Sequence, residues 1–168
     1  MADVMTPREL FLHELADILD VEQKLTEEVL PKLIQEVEDT ELKSGLQKHL
    51  RETERHAKNV ERIFRLMRAE PEVEKCIGFE GLKKEHDELV SDSSHQLIDA
   101  IDAGAAARTE HYEIAAYQGL ITMARSMGER EVVGLLEQNL KEEKEALREV
   151  EKAARRISKE QAKEFALA

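Results

Sequence analysis

Four helical seams in this chain carry glutamate where the periodicity calls for an apolar side chain. The first runs Leu12, Leu15, Leu19, Glu22, Thr26, Val29 and Leu33, in steps of three and four. The second runs Leu42, Leu46, His49, Thr53, His56, Val60, Ile63 and Met67, with Glu52 on its flank. The third carries Ala103, Ala106, Glu110, Glu113, Tyr117, Leu120 and Ala124. The fourth reads Val133, Leu136, Leu140, Glu143, Leu147, Val150, Ala154 and Ile157. A carboxylate is almost never fully buried unless something pairs with it. No lysine or arginine on these seams could do so. The pattern therefore demands a cation, and predicts an oxygen-rich metal site inside a helical bundle with Glu22, Glu52, Glu110, Glu113 and Glu143 as candidate ligands.

Helix boundaries follow from local chemistry. Thr6-Pro7-Arg8-Glu9 offers an N-cap, a proline at the first helical position and the glutamate of a capping box. Pro31 interrupts the first seam and is expected to kink the helix rather than end it, because Leu33, Ile34 and Val37 continue the pattern. The polar break at Glu38-Asp39-Thr40 starts a second helix that Pro71 stops. Cys76 to Gly81 reads as a loop, Leu82 to Val90 as a short helix, and Ser91 to Ser94 as a capping stretch. Gly128 ends the next long helix, and the tail from Ser158 is polar enough to fray. Helices are thus expected over about 7–37, 40–69, 81–90, 93–127 and 129–157, in one domain covering residues 1–168.

Connection lengths set the topology. Short links at residues 38–40 and at Gly128 make two antiparallel hairpins. The link between the second and third long helices is far longer than a hairpin needs. At ~1.5 Å rise per residue the second helix spans roughly 40 Å, which about twenty partly extended residues can retrace. One long crossover between two hairpins, carrying a short extra helix, is the all-α, ferritin-like four-helix bundle. Counted from Asp39, Glu22 and His56 are equally distant; counted from Gly128, so are Glu113 and Glu143. The inward carboxylates can share one layer.

Composition removes several alternatives. Charged residues make up 37% of the 168 and the formal net charge is −12, which disfavours nucleic acid and anionic membranes as partners. No apolar run approaches the ~20 residues needed to span a bilayer. The single Cys76 cannot form an internal disulfide, which fits a reducing cytosol, and Met1 to Asp20 lacks the basic start and apolar block of a signal peptide. A cytoplasmic location is expected.

Glu110-His111-Tyr112-Glu113-Ile114-Ala115-Ala116-Tyr117 resembles the third-helix signature of the YciE/YciF-like bacterial stress proteins, which belong to the ferritin-like superfamily. Val21 to Leu25, His49 to Thr53, Glu80 to Leu82 and Leu140 to Lys144 resemble the family's other blocks, so the similarity runs from about Thr6 to about Val150. The resemblance implies a cytoplasmic homodimer with a rubrerythrin-like dinuclear metal site, iron first and manganese second. By analogy Glu22 and Glu143 would be terminal ligands, Glu52 and Glu110 bridging, and Glu113 a mobile extra ligand. The chain departs from that pattern at the histidines expected three residues after a glutamate: Glu52 is followed there by Arg55 and Glu143 by Ala146. His56 could substitute, as a ligand or as a donor behind one, or be an ordinary polar core residue. His49 reads as structural, Tyr117 as a core tyrosine, Glu142 as surface, Cys76 as an inert thiol, and His111 and Tyr112 as packing or dimer contacts. The implied function is redox chemistry on a small oxidant, peroxide or dioxygen, by a di-iron or di-manganese peroxidase or oxidase. The alternatives are iron oxidation and storage, or a stress protein that works only through its helical surface.

Overall fold

The computed structural model describes residues 4–71 and 74–167, and every regular element among them is helical. The first helix, α1 (Pro7–Lys24), opens as its sequence predicts. Thr6 is extended and its hydroxyl accepts from the Glu9 N–H at 3.2 Å, while the Glu9 carboxylate reaches back to the Met5 N–H at 3.0 Å. The interruption at Pro31 takes a specific form. A π-helical turn, Leu25–Val29, precedes α2 (Leu30–Glu36), so Pro31 falls in the first turn of a fresh α-helical segment. Proline lacks an N–H and its ring crowds the carbonyl four residues back, and a wider turn relieves both problems.

The turn into α3 (Thr40–Leu66) is held from outside. The N–H groups of Glu38 and Asp39 both donate to the Asp99 carboxylate at 2.9 Å, and Asp39 in turn caps α3 by accepting from Leu42 N at 2.8 Å. α3 stops at Leu66, short of the expected residue 69, where Arg68 takes a left-handed φ of 53°.

The crossover holds the largest difference from the sequence-based reading. α4 spans Ile77–Ser91, so most of the segment read as a loop from Cys76 to Gly81 is helical, with the Cys76 thiol accepting from Phe79 N at 3.4 Å as the cap. Gly78 and Gly81 look like breakers in one dimension. In three, the α4 N-terminus lies on α5: a Cβ at Gly78 would come within 3.0 Å of the Tyr112 ring. That glycine serves close approach rather than a turn.

A short 3₁₀ turn (His95–Leu97) leads into α5 (Ile98–Ser126), which begins later than the expected residue 93. Gly128, at φ 80°, reverses the chain into α6 (Arg130–Leu167). α6 runs ten residues beyond the expected end at 157. Its extension is anchored near α5, where Gln161 donates to the Gln96 carbonyl at 2.7 Å.

α1 with α2, α3, α5 and α6 form the four rods. α5 and α3 both pack along α6, α1 packs against α3 and α5, and α4 lies on α5 outside the bundle. The buried faces of α3 and α5 match their seams. That of α6 is rotated: Val132, Leu136, Asn139, Glu143, Ala146, Val150, Ala153 and Ile157 are buried, while Val133, Leu140, Leu147 and Ala154 flank them. An apolar stripe about 100° wide does not specify which of its rows faces the axis. Apolar layers lie on both sides of the polar one, Leu15, Leu19, Val60, Ile63, Leu120 and Leu136 on one, Leu33, Leu42, Leu46 and Val150 on the other. Each such leucine contributes roughly 1.5–3 kcal/mol on burial. No described helix is long and apolar enough to cross a membrane.

Candidate metal centre

The polar layer between those apolar layers is built from all four rods. α1 supplies Glu22, α3 supplies His49, Glu52, Thr53 and His56, α5 supplies Glu110, Glu113 and Tyr117, and α6 supplies Asn139 and Glu143. Glu22, Glu110, Glu113 and Glu143 are each no more than 3% exposed. None of their ion pairs involves a lysine or arginine; the basic groups facing them are His49 and His56.

Candidate ligand atoms fall into two groups. In one, atoms of His49, Glu110, Glu113 and Glu143 all lie within 4.8 Å of one another; in the other, so do atoms of Glu22, His56 and Glu143. Glu143 belongs to both. His49 Nε2 is 3.2 Å from Glu110 Oε1 and 3.6 Å from Glu143 Oε2. His56 Nδ1 is 2.7 Å from Glu143 Oε1 and 3.6 Å from Glu22 Oε1. Both oxygens of Glu113, Glu143 Oε2, one oxygen of Glu22 and one of Glu110 are buried without a hydrogen-bond donor, while Glu143 Oε1 and His56 Nδ1 have only each other. Buried polar atoms are ordinarily paired, because desolvation without compensation costs on the order of 1–3 kcal/mol per group and more for a charge.

Electrostatics records the same crowding. Burial pushes the carboxyl of Glu22 up to about 8, with the neighbouring Glu143 adding to the rise. Burial likewise holds Glu110 and Glu113 well above the usual carboxylate range, again reinforced by Glu143. Burial opposes ionisation of Glu143 too, but His56 and His49 hold it below the usual range. Burial would depress His56, yet the carboxylates of Glu22, Glu143 and Glu142 lift it to about 9.

A donor network lies behind these groups. The Tyr117 hydroxyl donates to Glu22 Oε1 and accepts from Asn139 Nδ2 at 3.0 Å. The Asn139 carbonyl oxygen accepts from Asn59 Nδ2 at 2.8 Å. Glu142 is half-buried and its Oε2 sits 2.9 Å from His56 Nε2.

Of the sequence candidates, Glu22, Glu110, Glu113, Glu143 and His56 converge on this layer. Glu52 joins neither group. Its carboxylate lies at the rim, 3.8 Å from His49 Nδ1 and 3.8 Å from Lys48 Nζ, and His49 and then Lys48 hold it below its ordinary range. The carboxylate shared between the groups is Glu143, where analogy had put Glu52 and Glu110 in the bridging role and Glu143 at one end. His49, read as structural, stands inside the first group, and Glu142, read as surface, touches His56. The signal for His49 was available: it lies seven residues before His56 on one helical face. Asn139 gave none, because Leu140 beside it fits the seam equally well. The vacant histidine slot at Ala146 also has a tertiary reading, since that small side chain lines the same cavity as His49.

Relatives share this architecture. Protein YciF of Escherichia coli (strain K12) is 35% identical over 147 residues, covering 84% of this chain and 86% of its own length. The crystal structure described as the Escherichia coli stress protein YciF superposes with a TM-score of 0.85 at 29% identity, over 92% of this chain and 98% of that one. YcfI of Rhodopseudomonas palustris, for which a structural role has been suggested, gives a TM-score of 0.85 at 35% identity over 89% and 96%. A protein of Xanthomonas campestris, at 23% identity and a TM-score of 0.77, shows a likeness of fold alone. The model of a domain of unknown function, DUF892, matches residues 6–163, and the chain belongs to that family.

Proposed function

We propose that this protein is a ferritin-like, rubrerythrin-like stress protein that binds a pair of metal ions in the polar layer and reduces a small peroxide there. The observation that carries the reading is the convergence of buried carboxylate oxygens without donors, from α1, α5 and α6, on two histidine nitrogens of α3. Two divalent cations would balance the four buried glutamates with both histidines neutral. His49, Glu110 and Glu113 would hold one ion, Glu22 and His56 the other, with Glu143 between them. One histidine per ion gives a mixed oxygen and nitrogen donor set although Arg55 and Ala146 stand at the expected histidine positions. That set suits iron first and manganese second.

Such a pair of redox-active ions would supply the electrons for cleaving an O–O bond. The chain's own residues do the rest. Glu142 accepts the Nε2 proton of His56 and leaves Nδ1 facing Glu22 and Glu143. Tyr117, held by Asn139, keeps a hydroxyl proton on Glu22. The apolar layers above and below bury Glu22, Glu113, Glu143 and His56 completely, which strengthens the charge interactions among them.

The test is to purify the protein without chelators from iron- and manganese-replete medium and to count metals by elemental analysis. About two ions per chain are expected, with loss in Glu110→Ala and Glu143→Ala, and peroxide consumption only in the loaded protein. Metal at background levels would overturn the reading in favour of a structural role, as suggested for the Rhodopseudomonas relative. The family resemblance adds a homodimer. Elution as a large cage instead would favour iron storage.

A further inference from the structure

A cavity of about 200 Å³ opens between α2 with its preceding π turn, α4 and α5. Its walls are Leu25, Val29, Leu30, Leu33, Phe79 and Leu82, and its inner end is formed by His49 and Glu110, both buried. At its outer end stand Glu28, Lys32, Asp87 and Arg108, which are exposed, and the half-buried Lys83. The π turn contributes Leu25 and Val29, so the widened backbone after Glu22 forms part of the wall. A second cavity, of about 640 Å³, reaches the same two residues from between α3 and α6, past Glu41, Lys48, Arg51 and Glu149. Both approaches to His49 and Glu110 have charged mouths, and the first is the more apolar of the two.

We propose that the apolar cavity is a substrate pocket for a neutral alkyl hydroperoxide, whose chain lies among the leucines and whose oxygen end meets His49 and Glu110. The proposal rests on reading those two residues as part of the metal centre. The chemistry of the mouth decides the class of ligand. Lys32 is paired with Asp87 at 2.8 Å and Lys83 with Glu28 at 2.6 Å. Arg108 faces Glu85 at 3.8 Å. His86, which also lines the cavity, is paired with Asp102 at 2.8 Å. Among the described residues the basic groups there are thus matched by acids, so no spare cation receives a charged headgroup, and an anion carried inward would lose its hydration uncompensated. Hydrogen peroxide needs no apolar wall; an alkyl chain does.

Two electrons from the metal pair, restored by an external electron donor, and two protons would split the O–O bond to give an alcohol and water, and that inert alcohol class is the probe. Binding of 1-butanol, 1-pentanol, 1-hexanol and hexanoate to the protein as purified is measured by calorimetric titration, alongside variants of two lining residues, Leu82→Trp and Ala105→Leu. Saturable alcohol binding is expected, tightening about fourfold per added methylene. Hexanoate should bind at least tenfold more weakly than 1-hexanol, and either filled variant should weaken 1-hexanol at least tenfold. A crystal soaked in 6-bromohexanol should show bromine density between Leu33 and Leu82. No saturable binding, no gain with chain length, hexanoate binding as tightly as the alcohol, or unchanged affinity in both variants would each overturn the proposal. Because alcohol binding is read directly, its failure leaves the metal count intact, and a failed metal count leaves the alcohol series interpretable.

Discussion

Nε2 of His56 lies 2.9 Å from Glu142 Oε2, and the opposite ring nitrogen faces Glu22 and Glu143. With a metal ion bound, the outer carboxylate would hold the proton on Nε2 and leave the Nδ1 lone pair to the ion. Outer partners of this kind typically contribute 10–100-fold in metal affinity. Glu142→Ala is therefore expected to weaken one of the two ions by about that factor and to spare the other, read as a split in the metal-binding isotherm. Equal weakening of both ions would refute the pairing.

Glu143 is the one residue common to both candidate groups. Its removal should differ in kind from removal of its neighbours. Glu143→Gln is expected to reduce bound metal from two ions to none, whereas Glu22→Gln and Glu113→Gln each leave one, by elemental analysis of the purified variants. A single ion retained in Glu143→Gln would place the shared carboxylate elsewhere.

Asn139 is fully buried and bonded to Tyr117, to Asn59 and to the His56 carbonyl. Truncating it strands several polar groups at once. Asn139→Ala should cost about 1–3 kcal/mol in urea denaturation of the metal-free protein, the desolvation cost of an unpaired buried group. A change within ~0.5 kcal/mol, as at an ordinary surface site, would show that the network contributes nothing to folding.

Away from the centre, His86 Nε2 sits 2.8 Å from Asp102 Oδ1, and its Nδ1 faces Asp87 at 3.3 Å. Asp102 foremost raises the His86 pKa, against burial and the nearby charge of Lys32. A histidine whose folded pKa exceeds its unfolded value near 6.5 adds stability in full below about pH 6.5 and loses it as pH rises through the folded value. The stability gap between wild type and His86→Gln should therefore narrow from pH 6 to pH 9. A gap that widens, or stays flat, would contradict the assignment.

Much of this arrangement is legible in one dimension because a helix maps sequence spacing onto faces. Glutamate at Glu22, Glu110, Glu113 and Glu143 breaks an otherwise apolar period, and equal distances from Asp39 and Gly128 set Glu22 level with His56 and Glu113 level with Glu143, with Glu110 about one turn farther from Gly128. The cap at Thr6 and the left-handed Gly128 are local events, written in adjacent residues. Other features depend on contacts no local rule contains. The first turn of α4 sets Gly78 close against the Tyr112 ring of α5, 34 residues further along the chain.

The sequence by itself determined that this chain forms four long amphipathic helices with a crossover, and that acidic residues interrupt their buried faces at one level. Periodicity is enough for that, since it depends only on the pitch of the helix. Only the tertiary structure decided how the rods are rotated about their axes. That rotation buries Asn139 in place of Leu140, brings His49 into the polar layer, leaves Glu52 at its rim and puts Glu143 between two groups. A wide apolar stripe permits several rotations of nearly equal burial, and the one adopted depends on which side chains the other three rods present.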